Sequence, residues 1–169
     1  MSIIGLTLDY GPFGFMDGFN AAHICNHSDH TGRYAWHLQP EIGLWNLHCL
    51  AQALLPLSDK DALTEVLHQY QPLFEQAFAE QHRRKLGLRE WRSDDWDLMA
   101  ELLEMMQQSS TDWTRFWRSL SGFDALPGRM NQTLRDFFID RERFDAWAGR
   151  YGARLAQDQL PQPERARDM

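Results

Sequence analysis

Asp9 closes the apolar alternation Ile4, Leu6, Leu8 and is followed by Tyr10, Gly11, Pro12, Phe13 and Gly14. The alternation reads as a short strand, which would fix the carboxylate beside a glycine whose backbone is free to bend. A hard cation such as Mg²⁺ takes one or two carboxylates and fills its shell with water and substrate oxygens. A single carboxylate such as Asp9 supplies at most a share of such a site and not a whole one. The alternative is structural: Asp9 opens a turn in which Gly11 and Pro12 are the turn residues. A second polar cluster holds His23, Cys25, His27, Asp29 and His30. His and Cys are preferred zinc ligands, but the spacing matches no zinc finger, and Asn26, Ser28 and Gly32 mark a loop where His23 and His27 would need a helix to share a face. Asn26 and Asp29 suit hydrogen bonds to loop backbone. Arg33 and Tyr34 either order this loop or meet a substrate. Cys25 lies where a thiol is open to oxidation, whereas Cys49 falls on the apolar face of an expected helix and reads as an inert core thiol.

Other chemistries lack their residues. The sequence has no Walker A motif, no G-x-G-x-x-G, no C-x-x-C and no supportable Ser-His-Asp order, which removes P-loop, dinucleotide and generic hydrolase readings. The net charge of −7 argues against a general phosphate-backbone binder. The basic runs His82 to Lys85 and Arg89 to Arg92 are more simply solvated helix ends.

The words Asp9-Tyr-Gly-Pro-Phe-Gly-Phe15, Ile24-Cys-Asn-His-Ser-Asp29, Gly32-Arg-Tyr34, Gln39-Pro40, Gly43-Leu-Trp-Asn-Leu47 and Leu50-Ala-Gln52 occur in order between residues 9 and 52. Together they resemble the activation segment and following helix of the SelO family, kinase-fold proteins that transfer AMP from ATP to hydroxyl side chains. Phe138-Ile-Asp-Arg141 and the aromatic run from Phe144 to Tyr151 are similar to the family's helical C-terminal region. The resemblance implies that Asp9 contacts metal and nucleotide, with Mg²⁺ or Mn²⁺ and ATP as cofactors and Ser, Thr or Tyr of proteins as acceptors. It also implies that Cys25 is a redox-regulated thiol, although the family's C-terminal partner for it has no counterpart here, and a Cys25–Cys49 bridge has no independent support. The family's nucleotide lobe and its catalytic loop ending in Thr-Asp-Asn lie upstream of the Asp-Tyr-Gly word, and Met1 stands roughly where that loop ends. The expectation is a partial adenylyltransferase that is inactive alone and lacks the catalytic base. Its partner is then a separately encoded N-terminal lobe, and no nucleic acid or membrane. The alternative is a non-catalytic helical interaction module.

The elements that position these residues are mostly helical. Residues 1–39 are expected to form an activation-segment-like strand and loop, 40–158 the helical part of a kinase-like large lobe, and 159–169 a disordered tail. The fold class is mainly α, about six helices behind a short strand or hairpin. Pro40 suits a first helical turn, and that helix ends before Pro56. Ser58 is expected to cap the next, with Pro72 as a kink or break and Gly87 as a stop. Ser93 is expected to cap a helix whose face is Trp96, Met99, Leu102, Leu103 and Met106. Asp112 opens a short aromatic helix closed by Gly122, a helix runs from Gln132 to Phe138, and Asp140 caps a final one carrying Phe144, Trp147, Tyr151 and Leu155. Seven Trp and ten Phe need packing partners; if some belong against a further lobe, this chain exposes an apolar patch. Two cysteines, no signal-peptide pattern and no apolar run near the roughly 18 residues of a membrane span point to a cytoplasmic location.

Overall fold

The computed structural model of the protein describes residues 16–126 and 128–169. The strand expected to end at Asp9, and Asp9 itself, lie outside the described residues. Within them the chain is mainly α, with a 3-10 turn at Trp36–Leu38 and helices α1 (Gln39–Leu54), α2 (Lys60–His68), α3 (Tyr70–Lys85), α4 (Asp95–Ser109), α5 (Trp113–Leu120), α6 (Gln132–Arg135), α7 (Arg141–Asp158) and α8 (Gln162–Asp168). Contacts divide the described residues into two compact units, 21–76 and 16–20 with 77–169. The division falls inside α3, away from residue 39, where composition changes.

In the first unit α1 begins at Gln39 with Pro40 in its first turn, and it ends before Pro56. The cap of α2 is Asp59, not Ser58: its carboxylate accepts the N–H of Asp61 at 2.9 Å and of Ala62 at 3.1 Å, satisfying two donors that the first turn leaves open. The break between α2 and α3 falls at Gln69, and Pro72 sits in the first turn of α3, where its missing N–H costs nothing. Neither α1 nor α2 buries a residue. Trp45 (51%), Val66 (63%), Leu73 (59%) and Leu57 (83%) stand exposed in this unit.

The second unit holds the core. Its α4 and α7 pack together, and α7 buries Phe144, Trp147, Tyr151 and Leu155 at helical spacing, as expected. The buried face of α4 is Leu98, Met99, Leu102, Met105 and Met106. Trp96 is displaced from that face because it stacks on Phe78 at 5.7 Å and meets Trp91 edge-on at 5.1 Å. Burying an aromatic of this size contributes about 1.5–3 kcal/mol, provided its polar atom is satisfied. Trp147 Nε1 donates to the Leu98 carbonyl at 2.9 Å, and Tyr151 Oη donates to the Leu86 carbonyl at 2.7 Å. Burial raises the Tyr151 phenol well above its ordinary range.

Caps decide the other boundaries. Asp112 accepts from Arg115 N–H at 2.8 Å and Asp140 from Arg143 N–H at 2.9 Å, opening α5 and α7 where the sequence places them. Ser93 does not cap α4: Asp94 precedes the helix with no side-chain hydrogen bond to its first turn, and the Ser93 hydroxyl donates to the Asp94 carboxylate at 3.1 Å. The helix expected over 132–138 is a single turn, Gln132–Arg135. Gly87 ends α3 with φ +60°, a left-handed conformation that favours glycine. The tail is not disordered. Residues 162–168 form α8, and Arg165 is buried, donating to the Phe123 carbonyl at 2.6 Å.

Candidate functional site

The loop from Ala21 to Leu38 carries most of the described candidate residues, and Asp29 organises it. Its carboxylate accepts the N–H of Tyr34 at 2.7 Å and of Arg33 at 3.0 Å, and the hydroxyl of Thr31 at 3.3 Å. The Tyr34 hydrogen bond, foremost among these, holds the Asp29 carboxyl below the usual carboxylate range. Asn26 Oδ1 accepts Ser28 N–H at 3.0 Å, and Gly32 supplies a φ of +71° that a side chain would resist. Both Asn26 and Asp29 therefore serve loop backbone, as their residue types suggest.

The loop is tied to α1 and to the 3-10 turn by its ends. Trp36 N–H reaches the His23 carbonyl at 3.0 Å, and His37 N–H reaches the Ala21 carbonyl at 2.9 Å. Gln39 Nε2 donates to the Tyr34 carbonyl at 2.6 Å. Arg33 lays its guanidinium over the Trp45 ring at 4.4 Å. Tyr70 Oη donates to the Pro40 carbonyl at 2.9 Å, and a Cβ at Gly43 would stand 2.6 Å from that hydroxyl. Gln39 and Trp45 thus hold Tyr34 and Arg33 of the loop against α1, while Gly43 leaves room for the Tyr70 hydroxyl of α3.

The histidines are not drawn into a cage. No group of three or more His, Cys, Asp or Glu arranged to hold a metal ion occurs among the described residues. Cys25 is half-buried in the loop, and Cys49 is exposed instead of lying in a core, because α1 buries nothing. No helix among the described residues is long and apolar enough to cross a membrane.

Sequence reasoning missed a buried ionic cluster in the second unit. Arg154 reaches Asp95 through Nε at 2.8 Å and Nη2 at 3.1 Å, Asp158 through Nη1 at 2.6 Å, and the Glu90 carbonyl through Nη2 at 2.8 Å. The same two carboxylates take the backbone N–H of Arg92 at 2.8 Å and of Arg89 at 2.7 Å. Every carboxylate in it is engaged by a fixed donor, so the cluster ties the segment after Gly87 to α7. The i, i+4 spacing of Arg154 and Asp158 is visible in the sequence, but the third member is not.

Over residues 1–169 the sequence matches the family described as Protein adenylyltransferase SelO. It is 51% identical over 165 residues to Protein nucleotidyltransferase YdiU of Myxococcus xanthus, covering 98% of this chain and 34% of that protein. Identity to the protein of the same name in Bordetella petrii is 52% over 159 residues, covering 94% of this chain and 31% of the relative. For that of Pectobacterium carotovorum it is 47% over 169 residues, covering 100% and 35%. The chain spans about a third of the length of these relatives.

Proposed function

Because the chain belongs to the SelO family, we propose that it supplies the activation segment and the distal helical part of the large lobe of a SelO-type protein adenylyltransferase. The observation that carries this reading is the full-length family match together with relatives named as nucleotidyltransferases. The helical content and the tightly hydrogen-bonded loop before α1 agree with it. In this reading Asp9 holds Mg²⁺ or Mn²⁺ against ATP. Asp9 would hold the metal there, and the metal would supply charge neutralisation for transfer of AMP to a protein hydroxyl with pyrophosphate as the leaving group. The remaining parts, a nucleotide lobe and a catalytic base, come from outside this sequence, so the chain alone is inactive. Residues 21–39 hold the acceptor side of the site, and the cytoplasm is the expected compartment. In this reading Cys25, half-buried within that loop, is a redox-sensitive thiol.

The test combines this chain with the rest of the Myxococcus relative and follows label from ATP to protein. Label from the α-phosphate is expected on protein and label from the γ-phosphate is not. Transfer of the γ-label would make the assembly a kinase, and transfer by this chain alone would contradict the assignment of the base to another part.

A further inference from the structure

Within residues 21–76 the sequence has one arginine, Arg33, against carboxylates at Asp29, Glu41, Asp59, Asp61, Glu65 and Glu75. In the second unit arginines such as Arg83, Arg92, Arg135, Arg143 and Arg154 pair with a carboxylate. The Arg33 guanidinium pairs with none among the described residues, and Asp29, its neighbour in the loop, is taken by backbone N–H groups and Thr31. Its position is nevertheless fixed at both ends. The backbone N–H of Arg33 is pinned to Asp29 at 3.0 Å, and the guanidinium rests on Trp45, a ring 51% exposed. A guanidinium carries five N–H donors in a planar fork that matches a carboxylate with two parallel hydrogen bonds. The guanidinium lies 4.4 Å from the Trp45 ring centre and 5.8 Å from that of Tyr34, so part of the ordering that an arginine loses on pairing is already done.

We propose that Arg33 on Trp45 is a recognition point for a carboxylate of the acceptor protein, so that this loop selects hydroxyls in acidic segments. The proposal rests on the adenylyltransferase reading for the identity of the partner. The charge balance opposes it at long range and leaves the contact to Arg33 itself. The chain carries −7 overall, and a field of that sign disfavours acidic segments at long range, with screening over about 8 Å at physiological salt. An acidic partner is therefore held only where a local cation meets it, which turns Arg33 into a specificity element rather than a general attractor.

The experiment measures binding without nucleotide, so its failure is separable from a failure of AMP transfer. Fluorescence anisotropy reads a labelled peptide in which glutamates flank a serine, and its glutamine counterpart, on the wild-type chain and on Arg33→Gln and Trp45→Leu. The expected result is about fivefold tighter binding of the glutamate peptide, an advantage that falls with added salt and disappears in Arg33→Gln. Trp45→Leu is expected to reduce it. Hydrogen exchange at the Tyr34 amide reports whether the loop is still folded in each variant. Equal binding of the two peptides to wild type would overturn the proposal, a result that needs no variant to fold. So would a full glutamate preference in Arg33→Gln, or competition by pyrophosphate together with no preference between peptides.

Discussion

Replacing Arg154 by methionine is expected to cost the second unit about 3–5 kcal/mol, the range for breaking a buried ion pair from one side. The size follows from what remains. Arg154 exposes 8% of its side chain, Asp95 1% and Asp158 2%. Without the guanidinium, Asp95 keeps the Arg92 N–H, and Asp158 keeps the Arg89 N–H and the Arg92 guanidinium at 3.5 Å. Two buried carboxylates would be left without their main counter-charge. Against a typical domain stability of about 5–15 kcal/mol this is a large fraction. With a urea slope of about 2 kcal/mol per M, the midpoint falls by about 2 M. The assay is urea unfolding followed by circular dichroism, with a triple variant Arg154→Met, Asp95→Leu, Asp158→Leu as the control. The triple variant is expected to recover part of the loss, because it leaves no charge buried although the backbone N–H groups of Arg89 and Arg92 lose their acceptors. A loss under about 1 kcal/mol in Arg154→Met, comparable with a surface pair, would refute the reasoning.

Gly87→Ala is expected to destabilise by about 1–2 kcal/mol from the left-handed backbone alone. Its Cβ would also collide with the Arg165 side chain, so hydrogen exchange should rise first in α8. His82 is buried, and burial, opposed by its hydrogen bond to the Phe78 carbonyl and reinforced by Lys85, lowers its pKa. The unfolded chain then binds the proton first, so stability is full above about pH 6.5, declines as pH falls below that value and levels off once the folded pKa is passed. The urea midpoint should fall between neutral and mildly acidic pH, and His82→Leu should flatten that profile. Asp29, with its carboxyl held low, keeps the loop ordered above the ordinary carboxylate range and releases it as pH falls through the folded value. The Arg33 and Tyr34 amide resonances should titrate at that acid end, and in Asp29→Ala both amides should exchange faster at neutral pH.

What the sequence disclosed was local. Asp112 and Asp140 were readable as caps because a cap is a contact over three residues, and Phe144, Trp147, Tyr151 and Leu155 because helical period alone puts them on one face. Asn26 and Asp29 were readable as loop ligands for the same reason. Long-range partners were not. The order of α8 depends on Arg165 lying over Gly87 and bonding to Phe123, none of which its polar composition reveals. Asp95, in the first turn of α4, meets an arginine 59 positions away. Cys49 looked like a core thiol because its spacing on α1 is apolar, but spacing reports a face and not what covers it. The candidate metal ligand, Asp9, rests on the words that carry the family resemblance and lies outside the described residues.

The most direct measurement is calorimetry of ATP with Mn²⁺, and with Mg²⁺, on this chain combined with the rest of the Myxococcus relative, comparing wild type with Asp9→Ala. The account predicts metal-dependent ATP binding that is lost in Asp9→Ala while the circular dichroism of the assembly is unchanged. Metal-dependent binding of equal strength in Asp9→Ala would contradict it.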